Sequence, residues 1–277
     1  MNYKILENFI DEKTCKNLIS DAKKYSQEDN LKVQNNRLIL PSSSINFSKL
    51  LDKSNEWKKL HDYLNSKIFL NMLQKELNIE DQNITITNFF FVKKPNSFLK
   101  KYKILNSKKI STIGTLNLFF YLIFKLYRFI ERKLKYSFST KKFVELLYDY
   151  STAPNGYYRE IHRDSDSRTL VFLIYLNELC EGGSGGELNL YKYNKTNDKI
   201  PSQPKKEDCS LIKSIPPKTG TLVAFLNSHD SLHSVSKMEN HSNLRHFLYG
   251  SFTLLGKKNT FLDKSDGKLK TNFNIFE

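Results

Sequence analysis

The residues with the clearest chemical potential in this sequence are histidines, because an imidazole can ligate a metal or exchange a proton near neutral pH. Of the six histidines, only His162 has a carboxylate two residues later, Asp164. On an extended chain, the side chains of residues i and i+2 point to the same side. His162 and Asp164 could therefore present an imidazole and a carboxylate to one metal ion, although such a pair also arises often by chance.

A series of short motifs surrounds and follows this pair. His162 and Asp164 lie within residues 156–168, directly before an apolar run that ends in Tyr175-Leu-Asn. Further motifs then occur in this order: Gly-Gly-Glu-Leu at 185–188, Pro-Lys-Thr-Gly at 217–220, Leu-Val-Ala-Phe at 222–225, His-Ser-Val at 233–235, and Arg245. The order of these motifs is more informative than any one of them.

Taken in order, the motifs resemble those of the iron(II)- and 2-oxoglutarate-dependent dioxygenases, specifically the prolyl 4-hydroxylase-like group. The resemblance covers about residues 143–255. It implies that His162, Asp164 and His233 hold iron(II), because two imidazoles and one carboxylate leave other positions of this metal open for cosubstrate and oxygen. The implied cofactors are iron(II) and 2-oxoglutarate, with ascorbate as an additional candidate. From the residues alone, His233 could also be a surface loop histidine.

The resemblance also implies that Arg245 and Tyr175 bind the distal carboxylate of 2-oxoglutarate, and Arg is the side chain best suited to bidentate carboxylate recognition. A hairpin that turns at residues 239–243 would place His233 opposite Tyr249, on the same face as Arg245. Arg245 would then lie about 13 Å along the strand from the metal ligand. The alternatives are an edge-strand arginine and a core tyrosine.

Three further residues are candidates for the pocket: Tyr158, Arg168 and Tyr249. Tyr158 lies four residues before His162, whereas the family more often has its pocket tyrosine three residues before the histidine. Arg168 could orient the metal loop or simply pair with Asp166. We expect the remaining histidines of this half of the chain to be structural or exposed: His229, His241 and His246.

The predicted helices and strands that must position these residues indicate an α+β fold. Its core would be a double-stranded β-helix, which is a jelly-roll or cupin-like β-sandwich, with the N-terminal helices packed on it. Short strand candidates separated by turns support the sandwich. They are residues 169–176, 187–193, 221–226 and 247–255. Before these strands, we expect a helix that follows an Asp11 N-cap, and residues 26–55 look loop-like. A second helix should cover residues 57–77, and residues 84–92 are rich in β-forming residues.

The basic residues are distributed unevenly along the chain. The net charge is +15, and residues 92–142 contain 14 Lys and Arg against the single acid Glu131. This segment therefore carries +13 of the total, while residues 143–255 are roughly balanced. We expect four regions: 1–91 with helices and first strands, the basic segment 92–142, the catalytic core 143–255 and a tail at 256–277.

The basic segment also contains an apolar stretch at 110–124, which is shorter than the roughly 20 residues that a spanning helix needs. After Lys125, the apolar residues Leu126, Phe129, Ile130 and Leu134 follow helical spacing with basic residues between them. One interpretation is a helix packed on the core. The other is that residues 108–135 lie on an anionic membrane surface.

Three widely spaced cysteines, Cys15, Cys180 and Cys209, suggest neither a disulfide framework nor a thiolate zinc site. No signal peptide is apparent. The expected location is therefore the cytoplasm, with peripheral membrane association as an alternative. The sequence makes no prediction of oligomeric state.

The leading functional hypothesis is a hydroxylase of a peptide, an amino acid or a small metabolite. A demethylase of alkylated nucleic acid is a second hypothesis, but we do not expect a nucleic-acid partner, because the arginine spacing of those enzymes after the last histidine is absent and the basic excess lies outside the core. A third hypothesis is a non-catalytic binding module on the same fold.

Overall fold

The computed structural model describes residues 1–25, 32–34, 36–79, 89–91, 142–180, 182–195 and 200–255, and five positions between 123 and 130. Its helices are α1 (Glu12–Tyr25), α2 (Ile45–Lys53), α3 (Asn55–Leu64) and α4 (Lys67–Glu76). Its strands are β1 (Tyr3–Leu6), β2 (Lys32–Gln34), β3 (Arg37–Pro41), β4 (Phe89–Phe91), β5 (Lys142–Ala153), β6 (Arg159–His162), β7 (Arg168–Tyr175), β8 (Leu188–Tyr193), β9 (Cys209–Ile215), β10 (Leu222–Leu226), β11 (Leu232–Val235) and β12 (Arg245–Leu254).

These strands form two sheets. The larger sheet has the order β1-β10-β7-β12-β5-β3-β2, with β4 also paired to β5, and the smaller has the order β6-β11-β8-β9. Among the described strands, only the β4–β5 pair is parallel. The antiparallel sheets with N-terminal helices on one side confirm the predicted jelly-roll fold.

Strand β12 shows why the larger sheet has two different faces. Successive side chains of a strand point to opposite sides. Phe247 belongs to the apolar cluster between the sheets, whereas Leu248 and Phe252 belong to the cluster under the helices. At Gly250, a Cβ atom would lie 2.3 Å from the ring of Phe172, so the absence of a side chain lets this ring cross the strand. The apolar run of β7 is buried on both faces, as predicted.

The helices cover the outer face of the larger sheet. Helix α1 begins after Asp11, whose carboxylate accepts a hydrogen bond from the Thr14 amide at 2.9 Å, and this confirms the predicted N-cap. Cys15, Leu18 and Ala22 form its buried face. Helix α3 is joined to α1 by Trp57, because the indole Nε1 donates to the Leu18 carbonyl at 2.8 Å.

The prediction of one helix over residues 57–77 is wrong, because the structure has two helices there. The Ser66 side chain accepts a hydrogen bond from the Phe69 amide at 3.2 Å, so it caps the start of α4 and interrupts the chain after α3. Because α3 and α4 are separate helices, the residues buried on α4 are not those that one continuous helix over 57–77 would bury. Phe69 and Leu73 are buried, whereas Ile68 is 70% exposed.

The prediction of a loop over residues 26–55 is also wrong. This region contains the β2–β3 hairpin at the edge of the larger sheet and helix α2, which Ser44 caps by accepting from the Phe47 amide. A three-residue strand and a five-residue strand carry little sequence periodicity. They form because β3 pairs with the long strand β5, a contact between residues more than 100 positions apart that no local pattern reveals.

The expected hairpin that would pair the strands of His233 and Arg245 does not exist. Strand β11 pairs with β6 and β8 in the smaller sheet, whereas β12 pairs with β5 and β7 in the larger one. The connection between them crosses from one sheet to the other instead of turning back. His233 and Arg245 therefore lie on different sheets, and Tyr249 is not the strand neighbour of His233.

Several predictions concern residues that the structure describes only in part. Of residues 84–92, only β4 is described. Most of the basic segment lies outside the described residues, but Ile123, Leu126, Tyr127, Phe129 and Ile130 are helical and all exposed. In the part of the chain that is described, every helix is too short or too polar to cross a membrane. The three cysteines are free, as expected.

We predict that Trp57→Ala lowers the free energy of unfolding by about 3–5 kcal/mol, the usual cost of truncating a fully buried large aromatic residue. Trp57 is 0% exposed, and its ring packs edge-on against Phe47 and Tyr150. Urea unfolding followed by circular dichroism measures the change. Ile68→Ala is the matched control on the neighbouring helix and should change stability by less than about 0.5 kcal/mol. An equal loss in both variants would contradict the described packing.

Candidate active site

Two histidines are brought together by the smaller sheet. In the β6–β11 ladder, His162 and His233 are direct partners, and their ring centroids are 4.4 Å apart. Directly opposite residues of an antiparallel pair project to the same side of the sheet. Strand pairing alone therefore places two imidazoles, 71 residues apart in the sequence, side by side.

Both imidazoles are held in the same tautomer by backbone carbonyl groups. The Nδ1 atom of His162 lies 2.7 Å from the Glu160 carbonyl, and that of His233 lies 3.0 Å from the Ser231 carbonyl. A carbonyl oxygen can only accept, so Nδ1 carries the proton in each neutral ring and Nε2 keeps its lone pair. Burial and the neighbouring His233 lower the pKa of His162 to about 4, which keeps this ring neutral. Such an arrangement suits metal binding through Nε2.

Asp164 completes a group whose ligand atoms all lie within 4.8 Å of one another. Its Oδ2 atom is 3.8 Å from Nε2 of His233, and it is buried without a hydrogen-bond partner among the described residues. Burial alone would raise the pKa of Asp164, but Arg168 and His233 lower it below its usual value, so the group is a carboxylate. An unsatisfied buried carboxylate oxygen beside the ring nitrogens of two histidines fits a divalent cation.

The other carboxylate oxygen of Asp164 is fixed by two side chains of the larger sheet. Oδ1 accepts from Nη1 of Arg168 at 2.6 Å and from the Tyr249 hydroxyl at 2.7 Å. Arg168 also donates to the Tyr249 hydroxyl. The structure therefore places Arg168 and Tyr249 beside Asp164, where they hold Oδ1 and leave Oδ2 on the side of the histidines. Asp166 pairs with Arg163 instead of Arg168.

Arg245 is the other notable group of the site. Its side chain is 0% exposed, and Nε, Nη1 and Nη2 have no hydrogen-bond partner among the described residues. Its guanidinium lies 5.1 Å from the ring centroid of Tyr175 and 4.8 Å from that of Phe247. Leaving five donors of a buried cation unpaired is costly unless an anion supplies the missing acceptors. A carboxylate is the group that best matches the planar fork.

Two buried hydroxyl groups are also unsatisfied, and one of them belongs to Tyr175, whose ring contacts the Arg245 guanidinium. The Tyr175 hydroxyl and the Thr221 Oγ1 are buried without hydrogen-bond partners in the described structure. The Tyr175 amide donates to the Thr221 carbonyl at 2.9 Å, so the two residues are neighbours across the β7–β10 edge. Burial raises the pKa of Tyr175, and Arg245 opposes the rise. The sequence pointed to Tyr175 but gave no signal for Thr221.

Tyr158 does not lie in the pocket. It is 43% exposed and lines a groove of about 440 Å³ on the outside of the smaller sheet, beside Lys237. The preceding residue Tyr157 is 2% exposed, and the Arg245 guanidinium lies 5.9 Å from its ring centroid. Both tyrosines precede β6, which begins at Arg159, so the spacing to His162 did not indicate which of their rings faces the interior.

The other histidines of this region do not join the site. His246 lies on the outer face of β12, where Nδ1 is 2.8 Å from the Tyr150 hydroxyl. His241 contacts the carbonyl oxygens of Cys180 and Ser184 and fills the space above Gly183. His229 lies beside Asp230, which binds the N-terminal amine. These contacts agree with the structural roles expected from the sequence.

Comparison with protein families identifies one matching model. Residues 147–250 match the model of the 2OG-Fe(II) oxygenase superfamily. This range contains His162, His233, Asp164, Tyr175 and Arg245. The match confirms the resemblance inferred from the motifs. It supports oxygenase chemistry with iron(II) and 2-oxoglutarate as cofactors. No curated protein sequence matches the chain.

Solved structures give weak similarities over most of the chain. A prolyl-4-hydroxylase from Pseudomonas putida is 13% identical, with a TM-score of 0.40, over 91% of this chain and 92% of that chain. The viral collagen prolyl hydroxylase from Paramecium Bursaria Chlorella virus-1 is 15% identical, with a TM-score of 0.42, over 91% and 96%. A prolyl 4-hydroxylase from Phytophthora capsici is 14% identical, with a TM-score of 0.47, over 91% and 58%. Similarities at this level carry no functional argument by themselves.

We predict that Tyr249→Phe weakens the binding of Mn(II) by about 10-fold, because loss of a hydrogen bond that orients a metal-binding carboxylate typically has this effect. Titration calorimetry of the purified protein measures the affinity. Tyr150→Phe is the control, since Tyr150 makes its hydrogen bond to His246 on the outer face. Unchanged metal affinity in Tyr249→Phe would show that Asp164 does not depend on this contact.

Proposed function

We propose that this protein is an iron(II)- and 2-oxoglutarate-dependent dioxygenase that hydroxylates an unactivated C–H bond. The observation that carries the proposal is the juxtaposition of two unsatisfied groups inside one sandwich. One is the set of free ligand atoms on His162, Asp164 and His233. The other is the buried, unpaired guanidinium of Arg245. A metal suits the first and a carboxylate suits the second, so a carboxylate cosubstrate that also chelates metal suits both.

Each residue has a definite part in this proposal. His162, Asp164 and His233 would hold the iron, and Arg245 with the hydroxyls of Tyr175 and Thr221 would hold the distal carboxylate. Bound iron(II), together with 2-oxoglutarate, supplies the activation of oxygen, with succinate and carbon dioxide as the other products. The chain itself provides fixed geometry and a dry environment, and both strengthen the ion pair that Arg245 makes.

The burial of the ligands indicates the side from which substrate would approach. Asp164 and His233 are buried, whereas His162 is only partly buried. The strand of His162, β6, is also an edge of the smaller sheet. We therefore place the substrate entrance beside His162. The proposed substrates are a peptide, an amino acid or a small metabolite.

Two other functions on the same fold have specific tests. A nucleic-acid demethylase would bind DNA or RNA with a steep dependence on salt. We disfavour it because the basic excess lies in residues 92–142, outside the core. A non-catalytic binding module would not require the ligand atoms of His162, Asp164 and His233 to lie within 4.8 Å of one another or the buried Asp164 Oδ2 to lack a hydrogen-bond partner. Failure of the intact chain to bind iron(II) would favour that function.

We predict that the protein, supplied with iron(II), 2-oxoglutarate and ascorbate, forms succinate in an iron-dependent manner. His233→Ala should reduce this rate by more than the roughly 10- to 100-fold typical of losing an outer hydrogen-bond partner of a metal ligand. His229→Ala is the control, because His229 is outside the ligand group. Mass spectrometry of candidate substrates should show a gain of about 16 Da, one oxygen atom. No turnover with reconstituted iron across a broad substrate panel would contradict the proposal.

We also propose that residues 108–135 associate with an anionic membrane surface. Five apolar side chains of this segment are between 42% and 59% exposed, so they do not pack on the described core: Ile123, Leu126, Tyr127, Phe129 and Ile130. In the sequence, Lys125, Arg128, Arg132 and Lys133 alternate with them. Exposed apolar residues interspersed with basic ones favour the interface of an anionic bilayer, where each cation contributes about 1 kcal/mol. Location in the cytoplasm, peripheral to a membrane, follows as part of this proposal.

Deletion of residues 108–135 should reduce binding to vesicles that contain phosphatidylserine. Phe129→Glu in the full chain should also reduce it, because the change removes an exposed apolar ring and adds a negative charge. Leu211→Glu is the matched control, since Leu211 is 56% exposed on β9 and lies outside residues 108–135 in the sequence. Flotation with charged and neutral vesicles measures binding. Equal binding by the wild type and Phe129→Glu, or no binding by the wild type, would exclude the membrane role.

A further inference from the structure

A ladder of alternating guanidinium groups and aromatic rings runs along the inner face of β12. The Arg245 guanidinium carbon is 4.8 Å from the Phe247 ring centroid, and that of Arg37 is 5.3 Å from the same ring. Arg37 is also 5.4 Å from the Tyr249 ring, and Arg168 is 5.2 Å from it. Each distance is within the range of a cation–π contact. The ladder therefore connects Arg245 at one end to the brace of Asp164 at the other.

Arg37 is the middle cation of this ladder and the one that comes from outside the matched core. It lies on β3, in the edge hairpin, whereas residues 147–250 match the superfamily model. Its side chain is only 10% exposed. Arg37 also donates from Nη1 to the Tyr157 hydroxyl at 3.4 Å. It thus contacts Phe247 and Tyr157, two of the rings that surround Arg245.

The charges of the ladder are balanced unequally. Arg168 pairs with Asp164, and Nη2 of Arg37 lies 3.6 Å from Oδ1 of Asp149. Arg245 has no carboxylate partner among the described residues. Asp149 therefore neutralises Arg37 and leaves the unbalanced positive charge at Arg245, where the proposed cosubstrate carboxylate would bind. A neutralised cation between two rings contributes shape and contact more than net charge.

The shape of the guanidinium suits this place better than that of an ammonium group. Arg presents a flat, delocalised cation that stacks on aromatic faces, whereas Lys carries a compact and strongly hydrated charge. A buried ion pair alone would be a weak reason to keep an arginine here, because a well-packed apolar residue often stabilises a core equally well. The contacts of Arg37 with three aromatic rings give it a more specific task.

We propose that Arg37 is a positioning residue that fixes Phe247 and Tyr157 against Arg245 and so prepares the binding site for the cosubstrate. The inference rests on the proposed function, because it assumes that Arg245 receives the carboxylate of 2-oxoglutarate. Arg37 does not touch this carboxylate itself. When Arg37 is removed, the two rings lose a common contact, and Arg245 loses its fixed orientation. Affinity for 2-oxoglutarate should fall while the metal ligands keep their arrangement.

The test separates the two ends of the ladder. In Arg37→Met, titration calorimetry without oxygen should show that 2-oxoglutarate binds the Mn(II)-loaded protein about 10-fold more weakly, in line with loss of desolvated cation–π contacts. Affinity for Mn(II) alone should stay within about 2-fold of the wild type. Arg168→Met should weaken Mn(II) binding directly, because it removes the contact with Asp164. In the succinate assay, Arg37→Met should raise KM for 2-oxoglutarate with little change in kcat.

Two further variants make the result decisive. Arg37→Lys keeps the charge beside Asp149 but not the flat group between the rings. It should therefore bind 2-oxoglutarate as weakly as Arg37→Met. If Arg37→Met does not fold, Arg37→Lys still tests the proposal. Lys206→Met, which removes an exposed cation that lines the outer groove, should bind like the wild type. Wild-type affinity in Arg37→Lys, or equal loss of metal and 2-oxoglutarate binding in Arg37→Met, would overturn the inference. A wild type that binds no 2-oxoglutarate would overturn the proposed function and this inference together.

Discussion

The alternation of side chains along β12 is the constraint on which the site depends. Because successive residues face opposite sides, Arg245, Phe247 and Tyr249 line the interior, while His246, Leu248 and Phe252 face the helices. One strand thus supplies the proposed carboxylate anchor, the shared ring of the ladder and the hydroxyl that holds Asp164. The outer face provides the apolar area that the helices bury. A shift in register of one residue would exchange these two faces and destroy both the site and the core.

The two sheets divide the chemistry between them. The smaller sheet provides the paired imidazoles, because His162 and His233 are opposite one another in the β6–β11 ladder. The larger sheet provides Arg245 and the hydrogen bonds to Asp164. A carboxylate held from one sheet but directed toward the imidazoles of the other fixes the sheets relative to each other at this end of the sandwich. The arrangement of His162, His233 and Asp164 therefore depends on the core packing that holds the sheets at their spacing.

Sequence patterns predicted the parts of this molecule that follow from local periodicity or ordered motifs. The buried run of β7, the N-cap at Asp11 and the order from His162 to Arg245 are of this kind. The hairpin between His233 and Arg245 was wrong, because nothing local distinguishes a connection that turns back from one that crosses to another sheet. Tyr158 was named as a pocket candidate from its spacing to His162, and Tyr157 was not considered, because spacing alone does not determine which side chain faces the interior. Such choices depend on the pairing of strands distant in sequence.

Arg37 illustrates the limit more sharply than any other residue. In the sequence, it is one of the 44 Lys and Arg residues of the chain, and it lies in a stretch that looked like a loop. Its importance comes from the pairing of β3 with β5, which places it beside Asp149 and between rings of β12. Arg37 and Arg245 are almost fully buried and Arg168 is partly buried, and such an arrangement is tolerable only if nearby carboxylates and rings compensate the charges. Because Asp164 and Asp149 compensate two of the three, the deficit is concentrated on Arg245. The charge compensation that stabilises the interior thus also determines where an anionic ligand can bind.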